Sequence, residues 1–208
     1  VRDCAAVLDA TAGAATGDLF RAPPPPRPWA DELLSEPETC RVALVLDTPF
    51  SGTVDSECRA AAEKVAQTLA DWGHAVEPAT GEPLVDMDGY AAMNTVVSCG
   101  AALAIDRWER QFGEPVTELE PSNQAAVELG RSIKGFQLMA AIDAMARWSH
   151  AMAKAYEKFD LLITPTMPVP PPLLGTIDPL QPANVLQEKQ GAMSSFMIPF
   201  DVSGQPAI

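Results

Sequence analysis

The chain has 208 residues, enough for one large or two small domains, and its apolar and charged shares of 47% and 20% fit a soluble globular protein with a core. Its 28 acidic against 14 basic residues leave a formal net charge of -14, which repels phosphate backbones and argues against nucleic acid as a partner. The same balance leaves no polybasic patch for a membrane surface, and no apolar run nears the roughly 20 residues that span a bilayer.

Residues 2–12 read as an amphipathic helix. Ala5, Leu8 and Ala12 share one face, and Gly13 is a natural stop. Residues 14–39 read as a loop in which Pro23-Pro24-Pro25-Pro26 must be extended, with Phe20 and Trp29 expected to anchor it on the body of the protein. Residues 41–47 form a short, continuous apolar run rich in branched side chains, as in parallel strands covered on both faces. A turn is expected over residues 48–53, with Pro49 and Gly52. Asp55 or Ser56 then caps a helix reaching Trp72, with Cys58, Ala62, Val65, Leu69 and Trp72 at three- and four-residue steps. Gly73 ends it, and residues 74–77 read as the next strand. The whole is a strand–helix–strand unit of about 35 residues, the size of a parallel crossover.

Residues 86–112 and 122–156 read as two Ala- and Met-rich helices, with Gly113, Pro115 and Pro121 between them. Residues 159–164 read as a second buried strand running into Pro165, Pro168 and Pro170-Pro171-Pro172. That loop would stand at the C-terminal edge of the sheet, where ligand sites of α/β proteins gather. Residues 199–208 read as the lead-in to another buried strand. A chain that opens inside a helix without Met and stops as a strand begins is expected to be a piece of something longer.

The four cysteines, Cys4, Cys40, Cys58 and Cys99, form no CxxC pair, and only His74 and His150 could join them, so no zinc pattern and no metal site is expected. They read as small buried or half-buried thiols in a reducing, cytoplasmic setting. The chain contains no GxSxG elbow, GxGxxG loop or P-loop. His74 and His150 read as structural or solvated, and Glu118 and Glu120 as solvated charges. Cys99 lies among small residues in Thr95-Val96-Val97-Ser98-Cys99-Gly100-Ala101-Ala102. Its helix packs tightly on a neighbour, or its thiol lines a substrate pocket; nothing adjacent would make it a thiolate. Gly204-Gln205-Pro206 is either a plain turn or a loop whose backbone comes near a ligand.

Taken in order, these segments resemble the C-terminal half of the amidase signature enzymes. The resemblance rests on Val1-Arg2-Asp3 with its Ala/Leu helix, Gly17-Asp18 before the Pro-rich loop, the strand at 41–46, and Val54-Asp55-Ser56-Glu57-Cys58-Arg59-Ala60-Ala61. It continues through Trp72-Gly73-His74-Ala75-Val76, Phe159-Asp160-Leu161-Leu162-Ile163-Thr164-Pro165-Thr166, and Pro199-Phe200 to Gly204-Gln205-Pro206-Ala207. It spans essentially the whole chain. Within the family it resembles the cyclic-amide and nylon-oligomer branch, of the 6-aminohexanoate cyclic-dimer hydrolase kind. The resemblance implies an α/β fold with a mixed, mainly parallel sheet flanked by helices. Residues 1–208 would be one partial amidase domain, lacking the N-terminal Ser/Gly-rich catalytic core and the extreme C-terminus. It also implies cleavage of carbon–nitrogen bonds through a Lys/cis-Ser/Ser relay and an acyl-enzyme, with backbone N–H groups holding the oxyanion and no metal or organic cofactor.

The relay's Lys and Gly/Ser-rich loop would lie upstream of Val1. Ser194-Ser195 lacks flanking glycines and is not read as that loop, so no catalytic residue is assigned. Cys99, Thr164 and Pro165 are the expected substrate-binding wall for a small-molecule amide. The leading reading is an amidase fragment, inactive alone, with a homodimer as the default assembly. The alternatives are a non-catalytic binding or scaffold protein with an amidase-like body, and a hydrolase using Cys99 or Ser98 with His150 brought near by folding.

Overall fold

The computed structural model describes residues 1–47 and 52–208, which divide into two units, Val1–Thr39 and Cys40–Ile208. The turn expected over 48–53 therefore falls mostly outside the described residues.

In the first unit, α1 (Arg2–Thr11) forms where its apolar spacing placed it. The segment that follows is not wholly a loop, because α2 (Trp29–Glu32) interrupts it. The Asp9 carboxylate of α1 accepts the N–H groups of Trp29 at 2.6 Å and Ala30 at 3.0 Å. It thereby satisfies donors that a helix start leaves open. Within this unit Phe20 is 93% exposed and Trp29 38%, and the tie between α1 and α2 is a carboxylate on backbone.

In the second unit, β1 (Arg41–Leu44) lies between β2 (Ala75–Pro78) and β3 (Leu161–Ile163) in an all-parallel sheet of order β2-β1-β3. Val42 sits opposite both Val76 and Leu161. Central placement explains why Val42, Ala43 and Val45 are fully buried, as the continuous apolar run required. The strand is shorter than the run, but Val45 N–H still donates to the Ile163 carbonyl at 2.9 Å. β3 is an edge strand among the described residues, with Leu161 48% exposed, and not the buried strand that its sequence suggested.

Arg41 and Asp160 pin the start of that ladder. The Asp160 carboxylate accepts the Arg41 N–H at 2.8 Å and its guanidinium at 2.9 and 3.2 Å. Hydrogen bonds from the Arg41 side chain, then its backbone, pull the Asp160 carboxyl down from an ordinary 3.8 to about 2. A depressed folded-state value adds stability above the unfolded value, and that stability is lost as pH falls through the folded one. Acid titration of the fold between about pH 4 and pH 2 should therefore flatten in Asp160→Asn, read as the midpoint of urea unfolding against pH. An unchanged slope would show that the pair contributes nothing.

α3 (Ser56–Asp71) crosses from β1 to β2, and Asp55 caps it by accepting the Glu57 N–H at 2.8 Å. Removing that cap in Asp55→Ala should lower stability by about 1 kcal/mol, measured by urea unfolding, whereas Asp55→Ser should recover most of it. The buried stripe of α3 is Ala62 and Ala66, joined by half-buried Cys58 and Leu69. Val65 and Trp72, expected on it, are 51% and 73% exposed. Among the cysteines, Cys4 is exposed and not buried as expected, while Cys40, Cys58 and Cys99 are half-buried.

α4 (Met87–Phe112) starts at Asp86, whose carboxylate accepts the Gly89 N–H at 2.7 Å, and stops at Gly113 with φ +73°. The single helix expected over 122–156 is two, α5 (Pro121–Ser132) and α6 (Gly135–Ala155), separated by extended Ile133 and Lys134. Both pack on α4. The restart is marked by Gln137, whose Oε1 accepts the Lys134 N–H at 2.8 Å.

The core gathers Val45, Val54, Leu84, Trp148, Met152, Tyr156 and Phe196. Two aromatics, Trp148 of α6 and Tyr156 just beyond its end, reach from it to the segment after β2: Trp148 Nε1 donates to the Pro83 carbonyl at 3.1 Å and Tyr156 Oη to that of Thr80 at 2.7 Å. Burial pushes the Tyr156 phenol up to about 12, so it stays a donor at ordinary pH. α7 (Ala183–Met193) and α8 (Ile198–Ser203) close the chain. The first half of the tail expected to lead into a strand, up to Ser203, is thus helical, and no strand follows among residues 204–208. Pro199 sits in the first turn, where a missing N–H is no loss, and Gly204 ends the helix at φ +66°.

Candidate functional site

The C-terminal edge of a parallel sheet is where α/β proteins collect ligands. Here the loops after the three strands meet tightly. After β1, Asp47 pairs with Arg59 of α3. After β2, Gly81 lies so near that a Cβ on it would overlap the Asp47 carbonyl oxygen and stand 3.1 Å from Val45 Cγ1. Beyond β3, the Pro168 carbonyl accepts the Asp55 N–H at 2.7 Å, tying this loop to the start of α3.

Thr164 and Pro165 stand at this edge, Thr164 half-buried and Pro165 buried. Cys99 stands elsewhere, half-buried on α4. Its neighbour Ser98 is buried where α5 approaches, and a Cβ on Gly130 would overlap the Ser98 carbonyl oxygen. α4 packs on α5 and α6, whereas β3 packs on β1 and α3. The expected wall is therefore carried by two different sets of packed elements.

Two cavities open on other side chains. One, shallow and of about 450 Å³, lies along α6 against Asp143, Ala146, Arg147 and His150, which share one helical face. The other, of about 170 Å³, lies between α4, the connector after it, and α5. Neither lining contains Cys99, Thr164 or Pro165. Exposed His150 faces the first. His74 has a structural task, since its Nδ1 accepts the Cys40 N–H at 3.1 Å, which leaves the ring proton on Nε2.

Sequence reasoning set Ser194-Ser195 aside for want of flanking glycines and did not foresee the burial of Ser195. Ser195 is fully buried beside core residue Phe196, and its hydroxyl has no hydrogen-bond partner among the described residues. Such a group costs about 1–3 kcal/mol. Only the apolar residues flanking the Ser194-Ser195 pair, Met193 and Phe196, hinted at burial in the sequence. Among the described residues no group of three or more His, Cys, Asp or Glu side chains could hold a metal ion. No helix among them is long and apolar enough to cross a membrane.

The model of the family described as Amidase matches residues 1–208. The chain belongs to the amidase family. It is 33% identical over 219 aligned positions to the 6-aminohexanoate-cyclic-dimer hydrolases of Paenarthrobacter ureafaciens and of Pseudomonas sp. (strain NK87). In each case all of this chain is covered and 44% of the relative. A solved 6-aminohexanoate cyclic dimer hydrolase superimposes with a TM-score of 0.88 at 31% identity, over 98% of this chain and 44% of that one. The resemblance carried by the motif order therefore holds, and so does the α/β fold with a parallel sheet flanked by helices. The amidase chain described here spans under half the length of the curated relatives it matches.

Proposed function

We propose that this chain is part of an amide hydrolase in which it supplies scaffold and one wall of the substrate pocket. In this reading a Lys/cis-Ser/Ser relay outside residues 1–208 carries out the chemistry, with serine as nucleophile. Residues 1–208 act as one partial amidase domain in a cytoplasmic protein, and Cys99, Thr164 and Pro165 face the substrate. The observation that carries the reading is the likeness to the cyclic-dimer hydrolases over the whole chain. Apolar side chains left exposed on α4 and α6 support it: Val97, Trp108, Phe112, Phe136 and Met139 are between 52% and 71% exposed, as expected of helix faces that further chain covers. The substrate class is an aliphatic amide.

The test pairs the 208-residue chain with a chimera in which it replaces the matching region of the Paenarthrobacter ureafaciens hydrolase. Both are assayed on 6-aminohexanoate cyclic dimer. The chain alone should give no turnover and the chimera should give some. Cys99→Phe in the chimera should then raise KM more than it lowers kcat. Turnover by the chain alone would sink the external relay. A folded chain with an inactive chimera would favour the non-catalytic scaffold.

A further inference from the structure

The outward face of α6 lies opposite its buried residues Trp148 and Met152. Phe136, Ala140, Asp143, Arg147, His150 and Lys154 follow one another along it at alternating steps of four and three residues, and all are exposed. That alternation is the spacing of a seam along which two helices pair. At 1.5 Å per residue the seam is about 28 Å long. The shallow cavity of about 450 Å³ runs along its middle, against Asp143, Ala146, Arg147 and His150. Asp143 and Arg147 stand one turn apart, yet among the described residues neither has an ion-pair partner. The seam also differs in charge from the rest of the molecule. Arg147 and Lys154 outnumber Asp143 on it, whereas the whole chain carries -14. Two copies of an acidic chain therefore meet with less repulsion here than on the acidic remainder.

We propose that this face binds a second copy of the chain, the two α6 helices running antiparallel about a two-fold axis. The further chain that covers this part of α6 is then another copy of residues 1–208. In such a contact each residue meets its opposite number reciprocally. With the axis level with residue 145, Asp143 of each copy faces Arg147 of the other, giving two charge-assisted pairs. Ala140 faces His150, and its small methyl leaves room for the ring. Phe136 faces Lys154, which sets an ammonium against an aromatic ring. A parallel pair in register would instead set Asp143 against Asp143 and Arg147 against Arg147, so like charges select the antiparallel arrangement.

The test is sedimentation velocity on the 208-residue chain at neutral pH and low ionic strength, where charge pairs are least screened. A single helix pair covers less than the roughly 1,200–2,000 Å² of a standard interface, so loadings run from about 5 to about 500 µM. A monomer–dimer equilibrium is expected. Asp143→Arg and Arg147→Asp, both at exposed positions and each verified as folded by circular dichroism, should weaken association about tenfold or more, because like charges then face each other twice. An equimolar mixture of the two variants should dimerise as the parent does, since one copy then brings two guanidinium groups and the other two carboxylates. The proposal is overturned by a parent chain that stays monomeric throughout, by a single variant that associates as the parent does, or by a mixture that associates no better than its components. None of these outcomes touches the hydrolytic reading, which turnover of the chimera tests.

Discussion

Trp148→Ala should unfold much of the second unit's stability, by about 3–5 kcal/mol. The side chain is 1% exposed at the centre of the core, against Tyr90 with ring centroids 5.3 Å apart. Alanine leaves a cavity and also strips the Pro83 carbonyl of its donor. Whole domains are stable by about 5–15 kcal/mol, so the loss is a large fraction. The midpoint of thermal unfolding, followed by circular dichroism, should fall by about 2–4 °C for each kcal/mol. Trp148→Phe separates the two terms, keeping most of the volume while losing the hydrogen bond, and should cost about 1–3 kcal/mol. Gly89 supplies a further check. A Cβ there would overlap the Trp148 ring at Cε3, so Gly89→Ala should destabilise the wild-type background and be nearly harmless beside Trp148→Ala. Additive effects would show that the two do not touch.

Gly130→Ala sets two effects of opposite sign against each other. Helix propensity favours alanine over glycine by about 0.8–1 kcal/mol. Against that, a Cβ on Gly130 would overlap the Ser98 carbonyl oxygen and stand 3.0 Å from Ala102 Cβ. The obstacle is backbone of a long helix and cannot turn aside, so α4 and α5 must separate, at a typical cost of about 1–3 kcal/mol. The clash should win, giving a net loss of stability in urea unfolding. Gly100→Ala is the control. It sits within α4 with no atom within 4 Å of the added Cβ, and should stabilise by about 0.5–1 kcal/mol. Should Gly130→Ala also stabilise, the helices are not in the described contact.

The amino-acid sequence by itself determined the local elements whose causes are local. The α3 cap at Asp55, the stop of α4 at Gly113 and the burial of Val42 and Ala43 were legible because a capping carboxylate, a glycine in the left-handed region and an apolar run act within a few residues. The order of motifs also carried the family. What only the tertiary structure decided are features set by partners distant in sequence. The chain breaks at Ile133–Lys134 between α5 and α6, which both lie on α4, and alanine- and methionine-rich sequence is compatible with helix on either side and across it. Edge or central position in the sheet, which leaves Leu161 exposed and Val42 buried, depends on the strand order β2-β1-β3 and not on either strand's composition. The candidate site follows the same division. Cys99, Thr164 and Pro165 could be picked out one by one for their residue type and place in an element. Which surfaces they share is set by helix packing that no short window of sequence encodes.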